Sequence, residues 1–336
     1  MKILSKHTTA GLAIVASLLF FGCNEKKSTG SSSKKSSNVK TLATPVFNAD
    51  SAYQYVARQV DFGPRVPNTK EHAACAEYLA GELKRFGADV IVQEADVVAY
   101  DNTILKAKNI IGQFNPEKKN RLLLFAHWDT RPFADYDPDE SKRNTPIDGA
   151  NDGASGVGVL LEIARQIGKQ GHQLGIDIIF FDAEDYGQPA HLNLPNKEDT
   201  WCLGSQYWGK NPHKQGYTAR YGILLDMVGA KNALFYRELY SKSFAPELLN
   251  KVWNTAYDLG FGQYFAFEDG GMITDDHVYV YQLTGIPCID IIQHDPSSST
   301  SFGSYWHTHD DTMDNIDKRT LKAVGQTVLE VIYSEN

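Results

Sequence analysis

Cysteine is scarce in this chain: four residues in 336, at positions 23, 75, 202 and 288, with no C-x-x-C pair. An odd number beyond Cys23 argues against a disulfide framework; at most one bridge is possible and none is expected. The chain also lacks a G-x-S-x-G nucleophile elbow, and Cys202 has no histidine close by in sequence to activate it. P-loop and Gly-rich dinucleotide fingerprints are missing. There is no internal repeat. Positive charge is short as well. Residues 1–40 hold seven Lys and one Glu, so the remaining chain has 26 basic against 40 acidic residues and a net charge near −14. A nucleic-acid partner has no electrostatic footing on such a surface. A substrate with a positive amino terminus is not disfavoured.

The start of the chain reads as a targeting segment. Lys2 and Lys6 precede a mostly apolar stretch, Ala10 to Phe21, which is too short to span a bilayer comfortably. It ends in Gly22-Cys23, resembling a bacterial lipobox, so residues 1–22 are expected to be a lipoprotein signal peptide with Cys23 as the lipidation site. Residues 23–42, rich in Ser and Lys, cannot bury a core and read as a flexible tether. Residues 43–336 read as one catalytic domain. The expected product is an exported lipoprotein, periplasmic or attached to the outer membrane, touching the membrane only through its lipid. A monomer is expected.

Past the tether the pattern is that of an α/β protein. Ser51–Val60 and Thr69–Phe86 have helical periodicity, the second with Ala73, Ala74, Tyr78, Leu79, Leu83 and Phe86 along one side. Strand-like runs follow at 90–92 and 109–112, then four continuous apolar runs at 122–126, 176–181, 221–225 and 286–292, with a helical pattern at 155–169. Near-continuous apolar strands alternating with helices imply an α/β/α sandwich, its central mixed, mostly parallel sheet flanked by helices. Sites in such sheets lie just beyond the carboxyl ends of the strands.

Those ends are where the polar residues gather. The first run exits into His127-Trp128-Asp129, the second into Asp182-Ala183-Glu184-Asp185, the third into Asp226, and the fourth into Gln293-His294-Asp295, with His307 further on. One acidic cluster after a strand is ordinarily a solvated turn; metal-capable residues at consecutive strand ends are not. Asp, Glu and His without thiolates suit a catalytic zinc. The loop DGANDGASG at 148–156 adds Asp152, with glycines 149, 153 and 156 allowing a tight turn. Taken alone, Asp152 reads equally well as a helix N-cap or turn aspartate.

The succession FGPRVPN, KNIIG, AHWD, GANDGASG, FFDAED, LLDMVGA, DDH and WHT, over about residues 50–335, resembles the zinc aminopeptidase-like (M28-type) hydrolases. Within them it is most similar to the bacterial, zinc-dependent glutaminyl cyclases. The resemblance implies cyclisation of an N-terminal glutamine of peptides or proteins to pyroglutamate, with loss of ammonia. It implies one zinc per chain held by Asp152, Asp185 and His307, Glu184 as general acid/base, and Asp226 with Asp275 as a supporting carboxylate pair. Trp306 and Ile273 would shape the substrate pocket, with Trp201 as a pocket wall or a core anchor. His127 and Asp129 would orient the site from behind. The pattern departs from the usual Glu-Glu by having Glu184-Asp185, one methylene shorter at the ligand. A dizinc aminopeptidase of the same fold would use His127, Asp152, Asp185, Asp226 and His307 and take two metals, and every one of those positions is filled. The DDH, Trp306-His307 and HWDTRPFAD segments favour the cyclase. His72, His172 and His213 are expected at the surface, and Cys202 as a buried small hydrophobe.

Overall fold

The computed structural model describes residues 42–335 apart from Asn193 and Asn196, so Cys23 and nearly all of the tether lie outside the described residues. Eight strands form two sheets. Strands β1 (Asp89–Val98), β2 (Ile104–Phe114), β3 (Arg121–His127), β4 (Gly175–Phe181) and β5 (Gly222–Asp226) belong to the main sheet. A small parallel pair consists of β6 (Phe235–Arg237) and β7 (Phe265–Asp269), and β8 (Cys288–Ile292) completes the main sheet. The main sheet runs β1-β2-β4-β3-β5-β8. Its first two pairings are antiparallel and the other three parallel, so the sheet is mixed as the apolar runs imply.

Alternate residues of the central strands serve opposite cores. Leu122, Leu124, Ile176, Ile178, Ile223 and Leu225 face one core, shared with α1 (Ala49–Val60), α2 (Lys70–Arg85) and α3 (Ala154–Gln170). Leu123, Phe125, Ile179, Phe181 and Leu224 face the other, which takes Trp208 from α4 (Leu203–Lys210). The remaining helices are α5 (Leu239–Phe244), α6 (Pro246–Asp258), α7 (Asp276–Thr284) and α8 (Lys318–Tyr333). Of these α6 and α8 cover the first face, while α7 packs beside α4 on the second. Both faces are thus closed over, which is why β3, β4, β5 and β8 are buried at every position.

Two helix readings change in detail. The inward stripe of α2 is His72, Cys75, Ala76, Leu79 and Leu83, and Ala74 is exposed. Alanine carries little hydrophobic signal either way, and a polar residue at 72 hides the true inward side. His72 is not at the surface: its Nε2 lies 2.7 Å from Asp182 Oδ2 and its ring stacks on Trp128 at 4.4 Å. His172 and His213 are half-buried rather than exposed. Each is held by hydrogen bonds, His172 to Leu174 N and Ile332 O, His213 to Trp208 Nε1.

Among the 148–156 glycines, Gly149 and Gly153 turn the chain at φ +56° and +94°. Gly156 instead lies within α3, where a Cβ would collide with the Leu225 carbonyl and reach 3.0 Å from Ala126 Cβ. It lets α3 sit directly on β3 and β5, setting the depth of the preceding loop against the strand ends. Among the described residues no helix is long and apolar enough to cross a membrane.

Candidate active site and metal centre

Four parallel strands deliver their carboxyl ends to one place. His127 is the last residue of β3, Asp226 the last of β5, and Asp182 the first after β4. Immediately beyond two of these ends the chain takes left-handed conformations, at Ala183 (φ +53°) and Met227 (φ +48°), and His307 itself has φ +54°. Non-glycine residues there cost about 1–3 kcal/mol each and persist only where the surroundings over-determine them. At Ala183 the device separates duties. Asp182 stays under the strand, accepting hydrogen bonds from Ala183 N at 2.7 Å and Lys108 N at 2.5 Å, while Glu184 reaches the pocket.

The carboxylates and imidazoles form two groups that share Asp152. In one, His127 Nε2 lies 3.0 Å from Asp152 Oδ1 and 3.2 Å from Asp226 Oδ1. In the other, His307 Nε2 lies 3.3 Å from Asp185 Oδ1 and 3.5 Å from Asp152 Oδ2. Ligand atoms in each set lie within 4.8 Å of one another. Asp152 does not cap α3, whose N-cap position belongs to Gly153. It projects into the cluster with its backbone N–H donated to Asp311 Oδ2 at 2.9 Å, and the other oxygen of Asp311 takes Asn151 N at 2.8 Å. Asp129 does the same for the acidic pair, accepting from Glu184 N at 3.0 Å and Asp185 N at 3.2 Å. Asp129 therefore holds the backbone that presents Glu184 and Asp185.

The residues fit a divalent cation. Asp185 is almost completely buried, yet neither carboxylate oxygen has a hydrogen-bond partner among the described residues. Burying an uncompensated carboxylate is costly. Its neighbours add to the strain: burial, then the facing Asp152 carboxylate, pushes the Asp185 pKa up to about 6. Asp226 is likewise raised, by burial and despite its bond to His127. Burial acts to raise Asp152 too, but His127 holds it below the usual range. Burial and Arg131 act to lower His307, yet Asp185 and Asp135 carry it above its ordinary value. Oxygen and imidazole donors without thiolate suit zinc, and three protein ligands leave a position open, as a catalytic site requires. Asp152, Asp185 and His307 would hold the ion. The missing methylene of Asp185 does not take it out of reach of the other two.

Above this floor is a cavity of about 360 Å³, lined by Glu184, Asp275, Ile273, Met272, Phe302, His294, Trp306 and Trp201. Trp201 is thus a pocket wall rather than a core anchor, parallel to the His307 ring (11°) at 6.1 Å. Trp306 stacks on His307 at 3.6 Å between centroids. Ile273 lines the cavity, and its N–H donates to Glu238 Oε1 at 3.1 Å. Asp275 caps α7 through Asp276 N, and its pKa is pushed up to about 7 by burial and then by Asp226. Glu184 is raised well above the ordinary glutamate value by burial, with Asp275 and Asp185 adding to it against His127. Cys202 is buried as expected but has a polar duty: its Sγ donates to Glu184 Oε1 at 3.1 Å. His309 turns away to Asp137 and Thr145.

Sequence reasoning missed the buried polar residues behind the cluster: Arg65, Arg131, Asp135 and Asp311. Arg65 donates to Gly149 O at 2.8 Å and to Asp148 O. Asp135 Oδ1 faces His307 Nδ1 at 3.3 Å, an electrostatic contact rather than a hydrogen bond, and so favours the ring orientation that turns Nε2 toward the acidic cluster. Arg131 and Asp135 fall within the HWDTRPFAD segment, whose unusual run of charge was the available signal.

Comparison with known proteins agrees with this geometry. The family model for peptidase family M28 matches residues 109–332. A Zn-dependent exopeptidase from Parabacteroides distasonis is 63% identical, with a TM-score of 0.86, covering 87% of this chain and 100% of that one. The glutaminyl cyclase of Bacteroides thetaiotaomicron is 62% identical, with a TM-score of 0.86, covering 88% of this chain and all of its own. The glutaminyl-peptide cyclotransferase of Bos taurus is 25% identical over 301 residues, 81% of this chain and 78% of the relative. The mixed six-stranded sheet, the acidic cluster at its strand ends and the match over most of the chain place it together: the chain belongs to peptidase family M28.

Proposed function

We propose that this chain is a zinc-dependent glutaminyl-peptide cyclotransferase, converting the N-terminal glutamine of peptides and proteins to pyroglutamate and ammonia. The observation that carries the reading is the division of labour between adjacent carboxylates. Glu184 lines the pocket outside the Asp152–Asp185–His307 group, with its own carboxyl oxygen within 4.8 Å of an oxygen of Asp275. The 62% identity to a glutaminyl cyclase supports the same assignment.

The reaction needs the substrate's α-amine to attack its own γ-amide carbonyl and expel ammonia. Asp152, Asp185 and His307 would hold the zinc, which would supply Lewis-acid polarisation of that carbonyl. Glu184 takes the proton from the attacking amine and returns one to the leaving nitrogen, work worth about 10²–10⁴-fold. Asp275, its pKa also raised by burial, lies close enough to Glu184 to interact with it directly. Trp201, Trp306 and Ile273 fold the glutamine side chain back toward its amine and exclude water, the competing nucleophile.

A dizinc aminopeptidase is the second reading, favoured by two observations: His127, Asp152 and Asp226 form a further three-residue group beside the first, and one protein 63% identical to this chain is described as a Zn-dependent exopeptidase. We assign one zinc per chain, with His127 orienting Asp152 and Asp226. Purified protein incubated with Gln-peptides, with and without a chelator, should release ammonia only in the metal-loaded form and bind one zinc. Two tightly bound zincs together with free amino acids as product would establish the peptidase instead.

Lys2, Lys6, the apolar Ala10–Phe21 stretch and Gly22-Cys23 support export and lipid attachment at Cys23, and on that reading the enzyme meets peptide N-termini at the bacterial envelope. Incorporation of labelled fatty acid that is abolished by Cys23→Ala tests the anchor.

A further inference from the structure

Arg131 has no part in the chemistry above, yet it is wholly buried beside it. Its guanidinium has four partners, Asp135, Asp185, Gly187 and Trp201. Nε and Nη2 each donate to Asp135, at 2.7 Å to Oδ1 and 2.7 Å to Oδ2, a bidentate pair. Nη1 donates to the backbone carbonyl of Asp185 at 2.9 Å and, more weakly, to that of Gly187 at 3.4 Å. The Asp185 carboxylate itself is 3.5 Å from Nη1. The guanidinium carbon lies 4.6 Å from the centroid of the Trp201 ring.

Each attachment ends at a functional element. Asp135 is the group behind His307 Nδ1, at 3.3 Å, and its Oδ2 also accepts from Ala190 N at 2.9 Å, so its own position is fixed by the cation and the 187–200 loop together. The Asp185 carbonyl belongs to the shortened ligand, whose reach depends on where its backbone sits. Trp201 is the pocket wall parallel to His307, and it presses on Gly187 so closely that any Cβ there would overlap the indole. One planar cation thus touches two elements of the metal group and one of the substrate pocket.

We propose that Arg131 is a positioning residue for the reaction, its guanidinium locking His307 (through Asp135), the Asp185 backbone and the Trp201 wall in a single register. The proposal rests on the zinc cyclase reading for its kinetic consequences, but its metal branch does not need turnover. Only a guanidinium fits: two parallel donors for a carboxylate, a third toward two carbonyls, and a flat face for an indole. A lysine keeps the charge and loses the fork.

The test is a set of three variants, each first checked for folding by near-UV circular dichroism. Zinc affinity is measured by chelator competition, and KM and kcat on a Gln-peptide at saturating zinc. Asp135→Asn cuts the His307 branch and should weaken zinc affinity by about 10–100-fold, the usual effect of losing such a partner, with KM little changed. Trp201→Phe cuts the wall branch and should raise KM while zinc affinity holds. Arg131→Lys should do both. If folded Arg131→Lys binds zinc and substrate as the wild type does, the proposal is overturned. Should Arg131→Lys fail to fold, Arg131→Gln, read in the same two assays, decides: weakened zinc affinity together with a raised KM supports the proposal, and wild-type values for both overturn it. Failure of the wild type to cyclise Gln-peptides would instead refute the cyclase reading, leaving the zinc comparison intact.

Discussion

Replacing Glu184 by glutamine isolates proton transfer from everything else at the site. Gln has the same length and can still accept the Cys202 thiol at Oε1, and the backbone N–H of residue 184 stays on Asp129. The carboxyl is half-buried beside Asp275 and Asp185, so a neutral amide relieves like-charge repulsion there. The fold should therefore be as stable as the wild type, or slightly more so. Zinc retention should be unchanged, because the Asp152–Asp185–His307 group does not include residue 184. What is lost is the group that takes the amine proton. A general acid–base contribution of about 10²–10⁴ corresponds to about 3–5 kcal/mol of barrier, and the loss should appear in kcat with KM nearly constant. Ammonia release from a Gln-peptide, followed through a coupled dehydrogenase, reads kcat and KM, and metal analysis of the same sample reads zinc. A variant retaining more than a tenth of wild-type kcat would refute the role given to Glu184. One that lost its zinc would show that Glu184 is a ligand and that the division between the adjacent carboxylates is wrong.

Two further expectations concern the scaffold. Gly156→Ala places a methyl against the Leu225 carbonyl and Ala126, so overpacking of about 1–3 kcal/mol should lower the melting temperature by roughly 2–12 °C; Gly81→Ala, in α2 with open space around it, should be neutral or stabilising, and equal melting of the two variants would contradict the close packing described. His172 is satisfied as the neutral imidazole, Nδ1 accepting from Leu174 N and Nε2 donating to Ile332 O, and burial lowers its pKa. A depressed folded-state pKa means the unfolded chain takes up the proton first, so this stability is present above about pH 6.5 and is lost as pH falls toward the folded value. Urea midpoints at pH 7.5 and 5.5 should differ less in His172→Gln than in the wild type, and parallel shifts would refute the assignment.

His127, Asp185 and Asp226 are legible as candidates because the sheet announces them: an apolar run buried on both faces must be a central strand, and polar residues just beyond it stand at the carboxyl edge where sites form. The roles of Asp152, His307, Ile273 and Trp306 rest on the family resemblance instead. The layer behind them was not legible, for a reason that lies in the same physics. Hydrophobic periodicity marks which face of a helix or strand is inward only when the inward residues are apolar. His72 is inward because Asp182, 110 positions later, needs a partner beneath the strand, and Asp311 is inward because the backbone at 151–152, some 160 positions earlier, needs an acceptor. Each half of such a pair, seen alone, resembles an ordinary surface residue, and only the fold brings the halves together. The left-handed turns at Ala183, Met227 and His307 are silent in the same way, since glycine, the residue that advertises such a conformation, is absent there. Strain at those three positions persists because the buried pairs hold the strand ends on either side. The part of the site that sequence reading misses is therefore what fixes the geometry of the part it finds, and the four partners of Arg131 are the densest instance of it.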